Sequence, residues 1–224
     1  MTFPTDRSSQ CNGLDEGKFQ TECLSMRQIY YVSFTVISVF IVGLFLFNDK
    51  APRTEPSFPA YIKEFTLLDV YDRPFTKDTL KDQWTVVFFG FTNCPDICPT
   101  TLQMMAQVAK DMKKTPRDNP LQFVFISLDP ERDTPKKISK YVSHFSDDIL
   151  GVTGSYNELY RLIDSLEARD MVRRHSDGNN DYTIDHPIGL YVFNPKGLWA
   201  GVIEKPTTSP HTIAKSINKK MSTL

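Results

Sequence analysis

Apolar and polar positions recur with different periods along the chain, and the changes of period divide it. Residues 29–47, IYYVSFTVISVFIVGLFLF, carry no charge over 19 positions and present no polar face, so an amphipathic surface helix is excluded. At about 1.5 Å per residue such a helix covers roughly 28 Å, close to the hydrocarbon thickness of a bilayer. Tyr30 and Tyr31 stand at one end, where interfacial aromatics belong. The run is too long and starts too late for a cleaved signal, and no small-residue cleavage site follows it. Residues 1–28 form a polar arm whose Asp6, Asp15, Glu16 and Glu22 argue against a mitochondrial transit peptide. The segment therefore predicts a membrane anchor. Lys18 and Arg27 on one side and Lys50, Arg53 and Lys63 on the other leave its orientation undecided. Residues 48–61, NDKAPRTEPSFPAY, hold three prolines and predict an extended tether.

Over residues 62–224 strand and helix patterns alternate. EFTLLDVY (64–71) is a candidate strand, and WTVVFFGF (84–91) is the continuous β-branched and aromatic run of a strand buried on both faces. PTTLQMMAQVAKDMKK (99–114) places Leu102, Met105, Val108 and Met112 on one helical stripe, which reads as core packing. LQFVFISLD (121–129) is the next strand, followed by a helix from about Thr134 to Phe145. GVTGS (151–155) leads into the helix YNELYRLIDSL. DMVRRH and DYTIDH read as short strands around the SDGNN turn, and IGLYVFNPKGLWAGVIE as a hairpin turning at residues 194–197. A last helix runs from about Ser209 to Ser222. This order predicts a three-layer α/β domain.

At 224 residues the chain accommodates one compact domain and an appendage. A formal charge of −1 with no Lys/Arg block gives no field for nucleic acid. Four cysteines do not make a disulfide scaffold, and Cys11 and Cys23 lie in the arm without a partner motif.

Cys94 and Cys98 are different. They stand four apart between prolines, where the apolar strand gives way to the helical pattern. Thiols there face free backbone N–H groups and the positive end of a helix, which favours thiolate. Strand carboxyl ends are also where open α/β sheets bind ligands. Residues four apart on a helix have Cβ atoms about 5–6 Å apart. That suits two sulfurs sharing a metal, and suits a disulfide only if Cys94 lies off the helix. Two sulfurs are too few for closed tetrahedral zinc; with an imidazole they match Cu(I). His144 and His211 fall on exposed helix faces and His175 borders a turn, whereas His186 directly precedes the apolar strand IGLYVF.

GFTNCPDICPTTL, SLDPERDTP (127–135), GVTGS and DYTIDHPIGLYVFNPKG (181–197) together resemble the Sco/SenC family of membrane-tethered, thioredoxin-like copper proteins of respiratory oxidase assembly, over roughly residues 55–222. The resemblance implies a thioredoxin-like domain and a copper site made by Cys94, Cys98 and His186. It implies a metallochaperone serving the dinuclear copper centre of cytochrome c oxidase, or another cuproprotein, with a copper donor protein as a second partner. It also implies a bacterial inner-membrane protein of single-pass topology with its domain in the periplasm and the arm in the cytoplasm. Asp129 is expected at a strand end, with the rest of DPERD capping a helix. Pro187, where Ser or Thr is common, raises a second function, thiol–disulfide exchange in which Cys94 attacks and Cys98 resolves.

Overall fold

A computed structural model describes residues 26–47, 59–114, 119–168, 172–176, 182–204, 206 and 209–222. Two compact units divide the chain, residues 1–55 and Pro56–Leu224. In the first, helix α1 runs Met26–Phe47. Its side chains are described for residues 30–41, and every one of these is exposed. Among the residues so described no helix is long and apolar enough to cross a membrane, so the anchor over 29–47 stays an inference from sequence. Cys11, Cys23, the arm to residue 25 and the tether over 48–58 lie outside the described residues.

The second unit is built on seven strands: β1 Thr66–Asp69, β2 Pro74–Thr76, β3 Trp84–Gly90, β4 Leu121–Ser127, β5 Ile149–Thr153, β8 Leu190–Phe193 and β9 Trp199–Ile203, in the order β2-β1-β5-β4-β3-β8-β9. β3, β4 and β5 run parallel, and Trp84 to Gly90 pair one for one with Leu121 to Ser127. β8 returns antiparallel on β3, with Phe88 opposite Leu190. All seven residues of β3 are buried, because the sheet is covered twice. Val86 and Phe88 face a core completed by helices α2 (Ile97–Met112), α3 (Pro135–Ser143) and α5 (Pro210–Ser222). Val87 and Phe89 face one completed by helix α4 (Tyr156–Ser165) and the chain around Ile62 and Phe65. Three layers result, as the alternation predicts.

The stripe Leu102, Met105, Val108 and Met112 is buried throughout. A separate hairpin, β6 Arg173–Ser176 with β7 Tyr182–Asp185, pairs only with itself. The turn at 194–197 closes on Asn194, whose Oδ1 accepts the amides of Lys196 and Leu198, with Gly197 at φ 71°.

Two strands have no counterpart in the sequence reading. β2 is three residues long, and β5 contains the GVT of a segment read only as an approach to α4. The N-terminus of α2 also differs: the helix begins at Ile97, so Cys98 lies inside its first turn and Cys94 precedes it.

Candidate metal centre

Gly90 ends β3 beneath the first turn of α2. A Cβ at this position would lie 2.6 Å from the Cys98 sulfur, so the absent side chain is what admits Cys98 to the sheet surface. Cys98 is fully buried, and Cys94, in the turn closed by its own amide donating to the Phe91 carbonyl, is 9% exposed. The antiparallel pairing of β8 on β3 brings the loop that precedes β8 to the same sheet end. His186 arrives with its Nε2 3.4 Å from the Cys98 sulfur. Its Nδ1–H donates to the Pro187 carbonyl at 3.2 Å, which leaves the Nε2 lone pair facing the thiols. The ring stands edge-on to Phe88 and Phe91, each at 5.8 Å.

The sulfurs of Cys94 and Cys98 and a ring nitrogen of His186 all lie within 4.8 Å of one another. One ion about 2.3 Å from each sulfur holds two thiolates at about 4–4.6 Å. The donors therefore stand where a shared soft ion needs them. The two sulfurs are unequal. Cys98 donates to Cys94 and holds its thiol down to about 4, aided by the Asp96 and Cys98 amides and opposed by burial. The same bond, with burial, pushes Cys98 far up. Cys94 is the thiolate of the pair and the less buried of the two residues.

The other histidines stay apart from this site. His144 and His211 are exposed on α3's end and α5, and His175 pairs with Asp185 at 2.6 Å. DPERD only partly follows expectation. Asp129 lies just past β4 and is buried, but α3 is capped by Thr134, whose hydroxyl accepts the Lys137 amide. Asp133 turns instead to the cysteine loop. It is fully buried and accepts the Thr92 amide at 2.8 Å, the Thr92 and Ser127 hydroxyls, and an ion pair from Lys137. Gly90 and the two phenylalanines have no signal in the sequence, and Asp133 is legible there only as a member of DPERD expected at a helix start, since their roles come from contacts across the sheet end.

Two thiols and an imidazole at a strand's carboxyl end, on a sheet of this order, define a soft-metal-binding protein of thioredoxin-like fold. The SCO1/SenC family model matches residues 53–222, and the chain belongs to that family. It is 38% identical over 145 residues to a protein of Stutzerimonas stutzeri that carries copper binding in its name, covering 65% of this chain and 70% of that one. With the human mitochondrial SCO2 homolog it shares 35% over 159 residues, 71% of this chain and 59% of that protein. Its fold superposes on Bradyrhizobium japonicum ScoI solved with copper bound, at TM-score 0.64 and 31% identity, over 72% of this chain and all of that one. Yeast Sco1 with copper bound gives TM-score 0.64 at 29% identity, over 72% and 88%.

Proposed function

We propose that the chain binds copper in the assembly of a respiratory oxidase: Cys94 and Cys98 hold Cu(I) as thiolates and His186 completes a three-coordinate site able to persist as Cu(II). The observation that carries this is the convergence of two sulfurs and one free imidazole nitrogen within 4.8 Å. The copper-bound relatives support the choice of metal. Delivery proceeds by ligand exchange, with Cys94, the less buried thiolate, meeting the partner first. The recipient is the copper-centre subunit of cytochrome c oxidase or another cuproprotein, and a donor protein loads the site. Residues 29–47 hold the protein in the inner membrane with its domain in the periplasm.

One observation favours a second reading. Cys94 lies off the helix, which is the condition for a relaxed Cys94–Cys98 disulfide. In that reading Cys94 attacks a disulfide in a cuproprotein partner, and Cys98 resolves the mixed disulfide. Two partner thiols are released and the Cys94–Cys98 disulfide remains.

The test is an anaerobic Cu(I) titration of the reduced chain against a competing chelator. One equivalent should bind tightly, and Cys94→Ser or Cys98→Ser should abolish it. His186→Ala should lower affinity sharply while the disulfide still forms. Unchanged affinity in His186→Ala refutes the three-ligand site.

A further inference from the structure

His186 follows directly from β7, and β7 belongs to a hairpin of four residue pairs that is not part of the main sheet. An isolated hairpin is marginal on its own, so something else must fix it. Tyr182, at the start of β7, is held on every side. Its ring lies between two guanidinium groups, Arg132 at 3.5 Å and Arg174 at 4.0 Å from the ring centre. Its hydroxyl donates to the buried Asp129 at 2.6 Å, and its carbonyl accepts from Arg132 at 2.8 Å. Asp129 also binds Arg132 Nε, while Glu131 binds Arg174 on the neighbouring strand β6. The loop after β4 thus grips both strands of the hairpin.

Strand geometry carries this grip to the metal centre. Side chains alternate in β7, so Tyr182, Ile184 and His186 fall on one side. Ile184 is buried in the core that contains both cysteines, whereas Thr183 and Asp185 are exposed. A slip or rotation of β7 by one residue would turn that whole side away. We propose that Tyr182 is the positioning residue for His186: clamped between Arg132 and Arg174, it fixes the register and facing of β7 and so keeps the His186 nitrogen beside the two sulfurs. The inference rests on the three-ligand reading, and Tyr182 acts only through His186.

The experiment uses the full chain in detergent with 13C-labelled histidine. In the reduced, metal-free protein the His186 ring protons carry the ring-current shifts of Phe88 and Phe91, and exposed His211 serves as the internal reference. Tyr182→Leu should move the His186 signals to the reference range, and Tyr182→Phe, which keeps the stack, should restore them. Should Tyr182→Leu fail to fold, Arg174→Leu removes one half of the clamp from a side chain 40% exposed, and should shift His186 in the same direction. In the Cu(I) titration, Tyr182→Leu should weaken binding by about 10–100-fold, the range for residues that orient ligands. Added to His186→Ala, it should weaken binding no further. His186 signals that stay in place overturn the inference, as does a further loss of affinity in the His186→Ala background. If His186→Ala alone binds as tightly as the parent, the three-ligand reading falls, and the metal-free spectra still decide whether Tyr182 positions the ring.

Discussion

Gly90→Ala tests how closely the sheet and the metal centre are built together. The added methyl would lie 2.6 Å from the Cys98 sulfur, 3.0 Å from Phe125 Cε2 and 3.4 Å from Phe88 Cε1. Carbon atoms rest about 3.5–4.0 Å apart, so roughly 1 Å must be found at the sulfur. Cys98, Phe125 and Phe88 are all 0% exposed and have no free space to yield. Overpacking of this kind costs about 1–3 kcal/mol. Loss of glycine's freedom in the unfolded chain returns about 0.4–1 kcal/mol, leaving a net destabilisation of up to about 2.6 kcal/mol and about 1.3 kcal/mol at the middle of both ranges. For a domain of this size the melting temperature falls by roughly 2–4 °C per kcal/mol. The sulfur is the atom that has to move, so Cu(I) affinity should fall as well. Thermal unfolding of the parent, Gly90→Ala, Cys98→Ala and the double variant forms a cycle that isolates the sulfur contact. Most of the cost of Gly90→Ala should vanish when Cys98 is alanine, with a residue left by Phe125. If the cost is the same in both backgrounds to within about 0.5 kcal/mol, the contact with sulfur is not what Gly90 avoids.

Cys94 and Asp133 give further expectations. Iodoacetamide should label Cys94 before Cys98, at a rate nearly constant from pH 8 down to 5 and falling as pH passes about 4. A midpoint near 8.5, that of an ordinary thiol, refutes the assignment of the thiolate. The folded Cys94 thiol is depressed below its unfolded value, so it contributes stability complete above about pH 8.5 and lost as pH falls through about 4. Cys98, whose thiol is raised, acts in the opposite sense and lowers stability above about pH 8.5. Asp133→Asn replaces an acceptor of the Thr92 amide and the Thr92 and Ser127 hydroxyls, at a cost of about 1–3 kcal/mol. Urea denaturation should show the lower midpoint, and an unchanged midpoint would mean that the loop is held by other contacts.

What sequence could disclose depended on whether a residue's neighbours lie near it in the chain. The seven buried residues of β3 are legible because a central strand, dry on both sides, reads as a nearly continuous apolar run. The methionine stripe of α2 and the Asn194 turn are local patterns and come out as expected. β5 is obscured by its glycine. Gly151 looks like a turn signal, yet it is there because a side chain would meet Ile138 at 2.5 Å and Val70 at 2.7 Å. At the metal centre Cys94 and Cys98 announce themselves by position, and His186 by standing just before an apolar strand. Asp133 and Tyr182 do not, because their partners Thr92 and Asp129 are 41 and 53 residues away. Only the closed sheet brings them together.

The separation of 88 positions between Cys98 and His186 sets an order of events during folding. The two thiols meet once the first turn of α2 forms, a local step. The imidazole joins them only after β8 has crossed the chain to lie on β3, the kind of distant pairing that folds slowly. A newly emerging chain therefore offers an ion two sulfurs before it offers a nitrogen, and full three-point capture is reserved for molecules whose sheet is complete. In metal-free refolding the His186 ring should accordingly take its native environment in the last phase. Copper held at three points is then a mark that the molecule carrying it is finished.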